Sequence, residues 1–487
     1  MKIKELFKGF TGGRFFGDDS IPITSIAIHS QKVVPGGCFI AIRGFETDGH
    51  RYIPDAVARG AKVVVMEKDC DLPRKVTKVI VDDARDCLAR LSANFYGDPS
   101  RQFHLVGITG TNGKTTTAYL LEKIWASASW KTGLLTTVCN RYGSVVEPAQ
   151  RTTAEAPDLQ RMFREMADQR VRACAMEVTS HGIDLKRVVG CHFDGAIFTN
   201  LSQDHLDYHG TLENYFAVKA RLFRERLVVS EKKKLWAVLN WDDPYGRTLV
   251  GGLPAKVWRF SKKDPAAEVF LKNFEENWNG LRGTIQTPKG ALEFSSPLIS
   301  GVNSENILAA VAASLAMDIP VESILDGIAS FEGVPGRLQK IKHSGSFQVI
   351  VDYAHTPAAL EGVLQTLRGL KPKRLLVVFG CGGNRDQQKR AIMGKIAERL
   401  ADVVILTSDN PRKEDPEKIL QDIQSAMMQK EKHFIFVDRR EALSKAVAMA
   451  QPGDCLLVAG KGHETTQETM GEKRPFDDRE VLKEFLK

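Results

Sequence analysis

No apolar run in this sequence approaches the roughly 18 residues a membrane span needs, so membrane insertion is not expected. The first residues, MKIKELFKGFTGG, carry positive charge with no apolar stretch behind them, which argues against a signal peptide. Eight cysteines (38, 70, 87, 139, 174, 191, 381 and 455) are scattered without a single CxxC pair. That excludes a zinc ribbon and a disulfide framework, and it suits a reducing, cytoplasmic setting. There is no concentrated basic stretch with interleaved aromatics, so no nucleic-acid partner is expected. The net charge of +8 is spread along the chain and suits small polyanionic substrates. Internal repeats and low-complexity tracts are absent too.

What is present is a chain of 487 residues, too long for one core and suited to about three domains. Short apolar runs, CFIAIRG, AKVVVME and KVIVDD, alternate with helix-like segments until the turn signal FYGDPS closes a first unit, 1–98. A second unit, 99–333, opens with FHLVGITGTNGKTTTAYLLEKIW, which reads as strand, glycine loop and helix; RACAMEVTS, FDGAIFTN and KLWAVLN follow as further strands. A third, 334–487, holds FQVIVDYAH, RLLVVFGCGG, ADVVILTSDN, HFIFVD and DCLLVAGKG, again with helices between. Strands alternating with helices predict an α/β protein with parallel sheets, and ligands beyond the carboxyl ends of the strands.

GTNGKTT (110–116) carries the strongest local signal. Its small residues let backbone N–H groups close around phosphate oxygens, Lys114 adds a point charge, and the following helix adds its positive end. Thr115 is placed to ligate magnesium. The loop is a variant, because Ile108 stands where GxxxxGK[ST] has its first glycine. Downstream, Glu177 sits at a strand end, and Asp204, His205, Asp207 and His209 follow another strand, so that together they read as a site for a divalent ion. Lys219 lies on an amphipathic helix, and Asn303 and Asn306 share a helix face near its start. In LTSDNPRKED (406–415) an apolar strand runs into Asp409, Asn410 and Pro411, and the proline biases Asn410 away from helix. Arg412 is thereby presented to an anion.

In this order GTNGKTT, MEVTSHG, NLSQDHLDYHG, NSENILAA, GVPGRLQ, DYAHTPAAL, GGNRDQQKR, DNPR and GKGHE resemble the Mur ligases, from about residue 24 to the end. The resemblance implies an N-terminal α/β domain for a UDP sugar, a central parallel-sheet P-loop ATPase domain and a C-terminal Rossmann-like domain. It implies a cytoplasmic, monomeric ligase. ATP would phosphorylate the D-glutamate carboxyl of UDP-MurNAc-L-Ala-D-Glu, and an amine would then attack the acyl phosphate. ATP contacts would come from Gly110, Thr111, Asn112, Gly113, Lys114, Thr115, Thr116, Asn303, Asn306, Arg337 and Asp352. Thr115, Glu177, His205 and Lys219 would serve Mg2+, with Lys219 carbamylated by CO2; Lys114, Glu177, His205 and Lys219 would be catalytic.

The UDP-sugar dipeptide would meet Ser30, Phe45, Glu46, Thr47, Thr152, Thr153, Thr179 and Arg187. Arg151, Ala154 and Leu185 depart from the family's usual residues at their positions. Asp-Asn-Pro-Arg implies meso-diaminopimelate as the incoming amino acid, because a guanidinium fork binds its far carboxylate in bidentate fashion. Arg385, Asp409, Asn410, Pro411, Arg412, Gly460 and Glu464 would hold it. The alternatives are a lysine-adding ligase, a folylpolyglutamate synthetase-like enzyme, and an inactive ATP-binding regulator.

Overall fold

The computed structural model describes residues 1–45 and 47–487. Glu46, one of the expected sugar-site residues, lies outside the described residues. The chain divides into two compact units: Met1–Lys272 with Ile285–Leu292 and Glu305–Gly327, and Asn273–Thr284 with Glu293–Ser304 and Ile328–Lys487. Among the described residues no helix is long and apolar enough to cross a membrane.

The first unit begins with a five-stranded sheet in which Ile26–Ala27, Cys38–Ile40, Val63–Met66 and Thr77–Val81 run parallel and Gly13–Phe16 is an antiparallel edge. Alternation along these strands feeds two cores. Cys38, Ile40, Val63, Val65, Val79 and Val81 face one side, and Phe39, Val64, Met66 and Ile80 face the other. Near-continuous apolar runs are what a sheet covered on both faces requires.

The larger sheet has eleven strands, and its parallel core fixes the position of the glycine loop. His104–Thr109 lies between Ala173–Glu177 and Gly195–Phe198. Thr132–Leu135 pairs on the far side of Ala173–Glu177; Trp236–Asn240 and then Lys256–Ser261 continue beyond Gly195–Phe198. The chain therefore builds first to one side of His104–Thr109 and then to the other. Such a switch in strand order leaves a crevice at the carboxyl end of the central strand, and residues 110–113 occupy that end.

In the second unit Gln348–Asp352, Cys455–Ala459, Leu375–Phe379, Val403–Leu406 and His433–Ile435 are consecutive parallel strands, with Gln339–Lys340 antiparallel at one edge. Ile350, Val377, Phe379, Val404, Leu406 and Leu457 pack on one face, and Val349, Val351, Leu376, Val378, Ile405 and Val458 on the other. Because the strands are parallel, the segments after 352, 379, 406 and 459 all emerge at one edge. Those four segments begin YAH, GCGGNR, TSDNPR and GKGHE.

Candidate functional site

The glycine loop follows Thr109 and ends where the helix Lys114–Ser127 begins. Its glycines are required by close approach. Gly110 has φ +145°, and a Cβ there would stand 1.9 Å from Thr199 Oγ1. Gly113 has φ +83°, and a Cβ would stand 2.3 Å from Asn306 Oδ1. The neighbouring strand's exit braces the loop: Thr111 N–H donates to Asn200 O, Asn112 N–H to Asn200 Oδ1 (2.9 Å), and Thr199 Oγ1 to Asn112 O (2.6 Å). Lys114 folds back, its Nζ donating to Gly110 O (3.0 Å) and Thr111 O (2.7 Å).

Behind the loop, Thr115 Oγ1 donates to Glu177 Oε1 (2.8 Å), which also accepts Thr137 N–H (3.0 Å). Glu177 is buried, and so is Lys219 at 1% exposure. Lys219 Nζ donates to Gly110 O (2.9 Å) and sits 4.4 Å from the Tyr215 ring centroid. Two lysine nitrogens thus share one carbonyl oxygen. Burial, and then the nearby Lys114 charge, push the Lys219 amine well below the usual lysine range; Asp204 opposes them.

The segment 204–209 does not gather its acids and imidazoles into one cluster, contrary to the expectation from sequence. His205 takes a left-handed backbone (φ +53°) ahead of the turn Leu206–His209. Its ring stays half exposed, with Nε2 3.6 Å from Asp204 Oδ2. His209 turns inward instead, and its Nε2 meets Ser180 Oγ at 3.0 Å. His181 lies between them, 5.1 Å from the His205 ring and 5.7 Å from the His209 ring. Burial and these neighbours lower its pKa. Among the described residues no three His, Cys, Asp or Glu side chains are grouped to hold a metal ion. The donors that the loop does offer to a hard cation are oxygens, the Thr115 hydroxyl and the Glu177 carboxylate. A carbamate on Lys219 would add another, and that fits magnesium chemistry.

The expected sugar-dipeptide residues fall into two groups. Ser30 is buried, Thr47 is exposed, and Phe45 is exposed with its ring 6.0 Å from that of Tyr208. Thr153, Thr179 and Arg187 are brought together around the end of Ala173–Glu177. Thr153 Oγ1 meets Thr179 Oγ1 (3.1 Å) and donates to Glu177 O (2.9 Å). Arg187 Nη1 donates to Thr153 O (3.0 Å), and its Nη2 pairs with Glu155 (2.8 Å). Glu155 also faces Arg151 (3.8 Å) and Arg85 (3.9 Å), so one carboxylate answers three guanidinium groups. Sequence reasoning missed Glu155 and Arg85. The only signal for Glu155 is its spacing of four from Arg151. Thr152 is half-buried beside this group.

On the helix Val302–Ala316, Asn303 Nδ2 donates to Ile299 O (2.7 Å), and Asn306 Oδ1 accepts from Thr117 Oγ1 (3.3 Å). Within the second unit Arg337 stacks over Tyr353, its guanidinium carbon 4.8 Å from the ring centroid. Asp352 accepts N–H bonds from Leu338 (2.7 Å) and Ala354 (2.9 Å), yet burial raises its pKa. His463, also missed from sequence, lies 5.1 Å from Tyr353, and burial takes its imidazole down to about 4. Gly336 permits this packing: a Cβ there would stand 2.2 Å from His463 N.

At the sheet edge Asn410 Nδ2 donates to Glu464 Oε2 (2.8 Å) and Asp409 Oδ1 (3.2 Å). Lys461, fully buried, donates to Thr466 O (2.7 Å), Glu464 Oε2 (3.2 Å) and Asn410 Oδ1 (3.4 Å). Gly460 has φ +110°, where a Cβ would press on Asp409 Oδ2 at 2.6 Å. Burial raises the Asp409 pKa although Arg439 and Lys461 oppose it. Arg412 follows Pro411 with φ +55°, and its Nη1 donates to Gly383 O (2.8 Å). Arg385 is exposed in the neighbouring loop. The structure therefore brings Asp409, Asn410, Gly460 and Glu464 into direct contact and sets Arg412 beside them.

Three family profiles match in chain order: "Mur ligase family, catalytic domain" over residues 22–96, "Mur ligase middle domain" over 108–314, and "Mur ligase, glutamate ligase domain" over 336–462. The chain is 41% identical to the UDP-N-acetylmuramoyl-L-alanyl-D-glutamate--2,6-diaminopimelate ligase of Alkaliphilus metalliredigens, over 100% of this chain and 98% of that protein. A solved structure of a ligase of the same name superposes with a TM-score of 0.73 at 31% identity, covering 100% of this chain and 98% of that one. The fold is also that of the MurF ligase of Thermotoga maritima in complex with ADP, with a TM-score of 0.61 at 18% identity over 95% and 96% of the two chains. An α/β fold, three family domains matched in order, a braced glycine loop and full-length matches at this identity lead to one conclusion: the chain belongs to the Mur ligase family.

Proposed function

We propose that the protein is an ATP-dependent amide ligase that joins meso-2,6-diaminopimelate to UDP-MurNAc-L-Ala-D-Glu in peptidoglycan precursor synthesis. The observation that carries this reading is the pair of lysine nitrogens on the Gly110 carbonyl, Lys219 at 2.9 Å and Lys114 at 3.0 Å. A carboxylate attacking a triphosphate is anion against polyanion; Lys114 supplies cationic charge at the loop, and its nearness keeps the Lys219 amine from holding a second. A 41% identity along the whole chain to a ligase of that name supports the substrate assignment.

In the proposed reaction a carboxylate oxygen of the D-glutamate residue attacks the γ-phosphorus and ADP leaves. The amine of diaminopimelate attacks the acyl carbon, loses a proton, and expels phosphate that carries the attacking oxygen. Gly110, Thr111, Asn112, Gly113, Lys114, Thr115 and Thr116 surround the phosphates of ATP. Asn303, Asn306, Arg337 and Asp352 take the rest of ATP. The depressed pKa of Lys219 favours the uncharged amine, which would add CO2 as a carbamate and release one proton; an unmodified ammonium would repel a cation. Thr115, Glu177, His205 and the carbamate would hold magnesium, which would supply charge neutralisation at the phosphates. Ser30, Phe45, Glu46, Thr47, Thr152, Thr153, Thr179 and Arg187 meet the UDP-sugar dipeptide.

Arg412 grips the far carboxylate of diaminopimelate, Arg385 the near one, and Asp409, Asn410, Pro411, Gly460 and Glu464 complete the pocket, with the carboxylates and the Gly460 carbonyl receiving ammonium groups. Domain boundaries near 98 and 333, a monomeric state and a cytoplasmic location belong to the same reading. The test is phosphate release from ATP with each substrate omitted in turn, and mass spectrometry of the product across a panel of amino acids. Release that needs both UDP-MurNAc-L-Ala-D-Glu and diaminopimelate is expected. Release indifferent to both would leave an ATPase or regulator, and equal turnover of L-lysine would leave a lysine-adding enzyme.

A further inference from the structure

Arg412 poses a physical problem that its sequence motif does not solve. A non-glycine residue in the left-handed region is strained and persists only where its surroundings over-determine it. Arg412 holds φ +55° at the very position proposed to read a carboxylate. Whatever enforces that backbone also sets the direction of the guanidinium.

The enforcing element is a hairpin far along the chain. Thr466–Thr469 and Glu472–Pro475 form a separate two-stranded sheet, with Thr466 opposite Pro475 and Thr469 opposite Glu472. Its turn is strained as well, with Met470 at φ +51° and exposed beside Gly471 at φ +80°. Glu472–Pro475 is exposed along its whole length. A two-stranded ribbon of this kind is marginal by itself in water. It is held at its base by the buried Lys461, whose Nζ donates to Thr466 O at 2.7 Å.

From there the first strand runs along the Asp-Asn-Pro-Arg loop and bonds it repeatedly. Gln467 Nε2 donates to Asp409 O (2.8 Å) and Ser408 O (3.4 Å). Glu468 N–H donates to Asn410 Oδ1 (2.9 Å), and Arg412 N–H donates to Glu468 O (2.9 Å). Met470 N–H donates to Arg412 O, and Arg412 bridges Thr469 as one rung of parallel sheet. Glu468 Oε2 stands 3.9 Å from Arg412 Nε. Both backbone polar groups of the strained residue are therefore taken by the hairpin.

We propose that the hairpin 466–475 is the strap that fixes Arg412, and that Gln467 is a positioning residue through which it sets the preference for an amino acid with a far carboxylate. This rests on the assignment of Arg412 to that carboxylate. Gln467 acts through the loop: it holds the carbonyls at 408 and 409, and so sets where the loop turns toward 412. Loosening it widens the range of Arg412 orientations, which weakens a two-point grip on a carboxylate far more than it weakens binding of an amino acid lacking one.

The test measures kcat/KM for meso-diaminopimelate and for L-lysine with full-length Gln467→Ala, Gln467→Glu and Arg412→Ala. Glutamate keeps the shape of glutamine but cannot donate to the carbonyls, so it is read if the alanine variant does not fold. The diaminopimelate-to-lysine ratio is expected to fall about tenfold in either Gln467 variant, equivalent to about 1.4 kcal/mol. It is expected to fall about a hundredfold in Arg412→Ala, with the KM for ATP unchanged in all three. Amide exchange over 408–413 should quicken in the Gln467 variants. A ratio within twofold of the parent in the Gln467 variants, alongside a collapse in Arg412→Ala, would overturn the strap. An unchanged ratio in Arg412→Ala would overturn the carboxylate assignment beneath it.

Discussion

Two lysines are buried among the described residues, and they are buried for opposite ends. Lys219 is 1% exposed and has one neutral acceptor, the Gly110 carbonyl, with the Lys114 ammonium close enough to depress its pKa. Lys461 is fully buried too, but a carboxylate, a side-chain amide and a backbone carbonyl surround its ammonium. The first environment favours the uncharged amine, as the carbamylation proposed above requires. The second satisfies a charge and so braces three segments, at 410, 464 and 466. Burial alone says little about a lysine; its acceptors decide.

Replacing each lysine with methionine sharpens the contrast. Lys219→Met is expected to lower turnover on the order of 10³-fold, the scale for removing one preorganised electrostatic partner, and yet to raise Tm. The sign follows from linkage: between the depressed folded pKa and the ordinary lysine value the unfolded chain binds more protons, so the unmodified amine subtracts stability at neutral pH and the loss shrinks as pH rises toward 10.5. Scanning calorimetry without bicarbonate checks it, and a fall in Tm would contradict it. The same proton competes with CO2, so activity supported by bicarbonate should decline as pH falls through the depressed value.

Arg412→Ala comes next in size. It should remove about 2–3 kcal/mol from the diaminopimelate complex, the usual scale for deleting one member of a close charge pair, with L-lysine turnover little changed. Lys461→Met should lower Tm rather than raise it, costing about 2 kcal/mol through the acceptors it strands. It should also raise the KM for the amino acid without raising that for ATP. Equal responses of the two lysine variants in Tm would erase the distinction between them. The smallest expected effect is Met470→Gly, a gain of about 0.5–1 kcal/mol from relief of a left-handed residue, with substrate preference retained.

Much of the architecture is legible along the sequence because it is local. Apolar runs broken by glycine and polar residues mark parallel strands, and GTNGKTT announces its own strand, loop and helix. The three-domain α/β reading follows from that alternation, and the family profiles match in the expected order. The rest depends on contacts between distant residues. Pro411 biases Asn410 but cannot dictate φ +55° at Arg412, which rests on a hairpin more than fifty residues downstream. The cluster read from Asp204, His205, Asp207 and His209 misleads because left-handed His205 sends its neighbours different ways, with His209 turned in to Ser180. Glu155 among three arginines and His463 against Tyr353 were invisible for the same reason: single common residues acquire meaning only from what packs on them.

The most direct test of the central claim follows one oxygen atom. UDP-MurNAc-L-Ala-D-Glu labelled with ¹⁸O in the reacting glutamate carboxyl group, turned over with ATP and meso-diaminopimelate, should yield inorganic phosphate carrying one ¹⁸O for each amide formed from a fully labelled carboxyl. Phosphate free of label, accompanied by amide product, would mean that the carboxylate never attacks phosphorus, and the account of the glycine loop and its two lysines would fail.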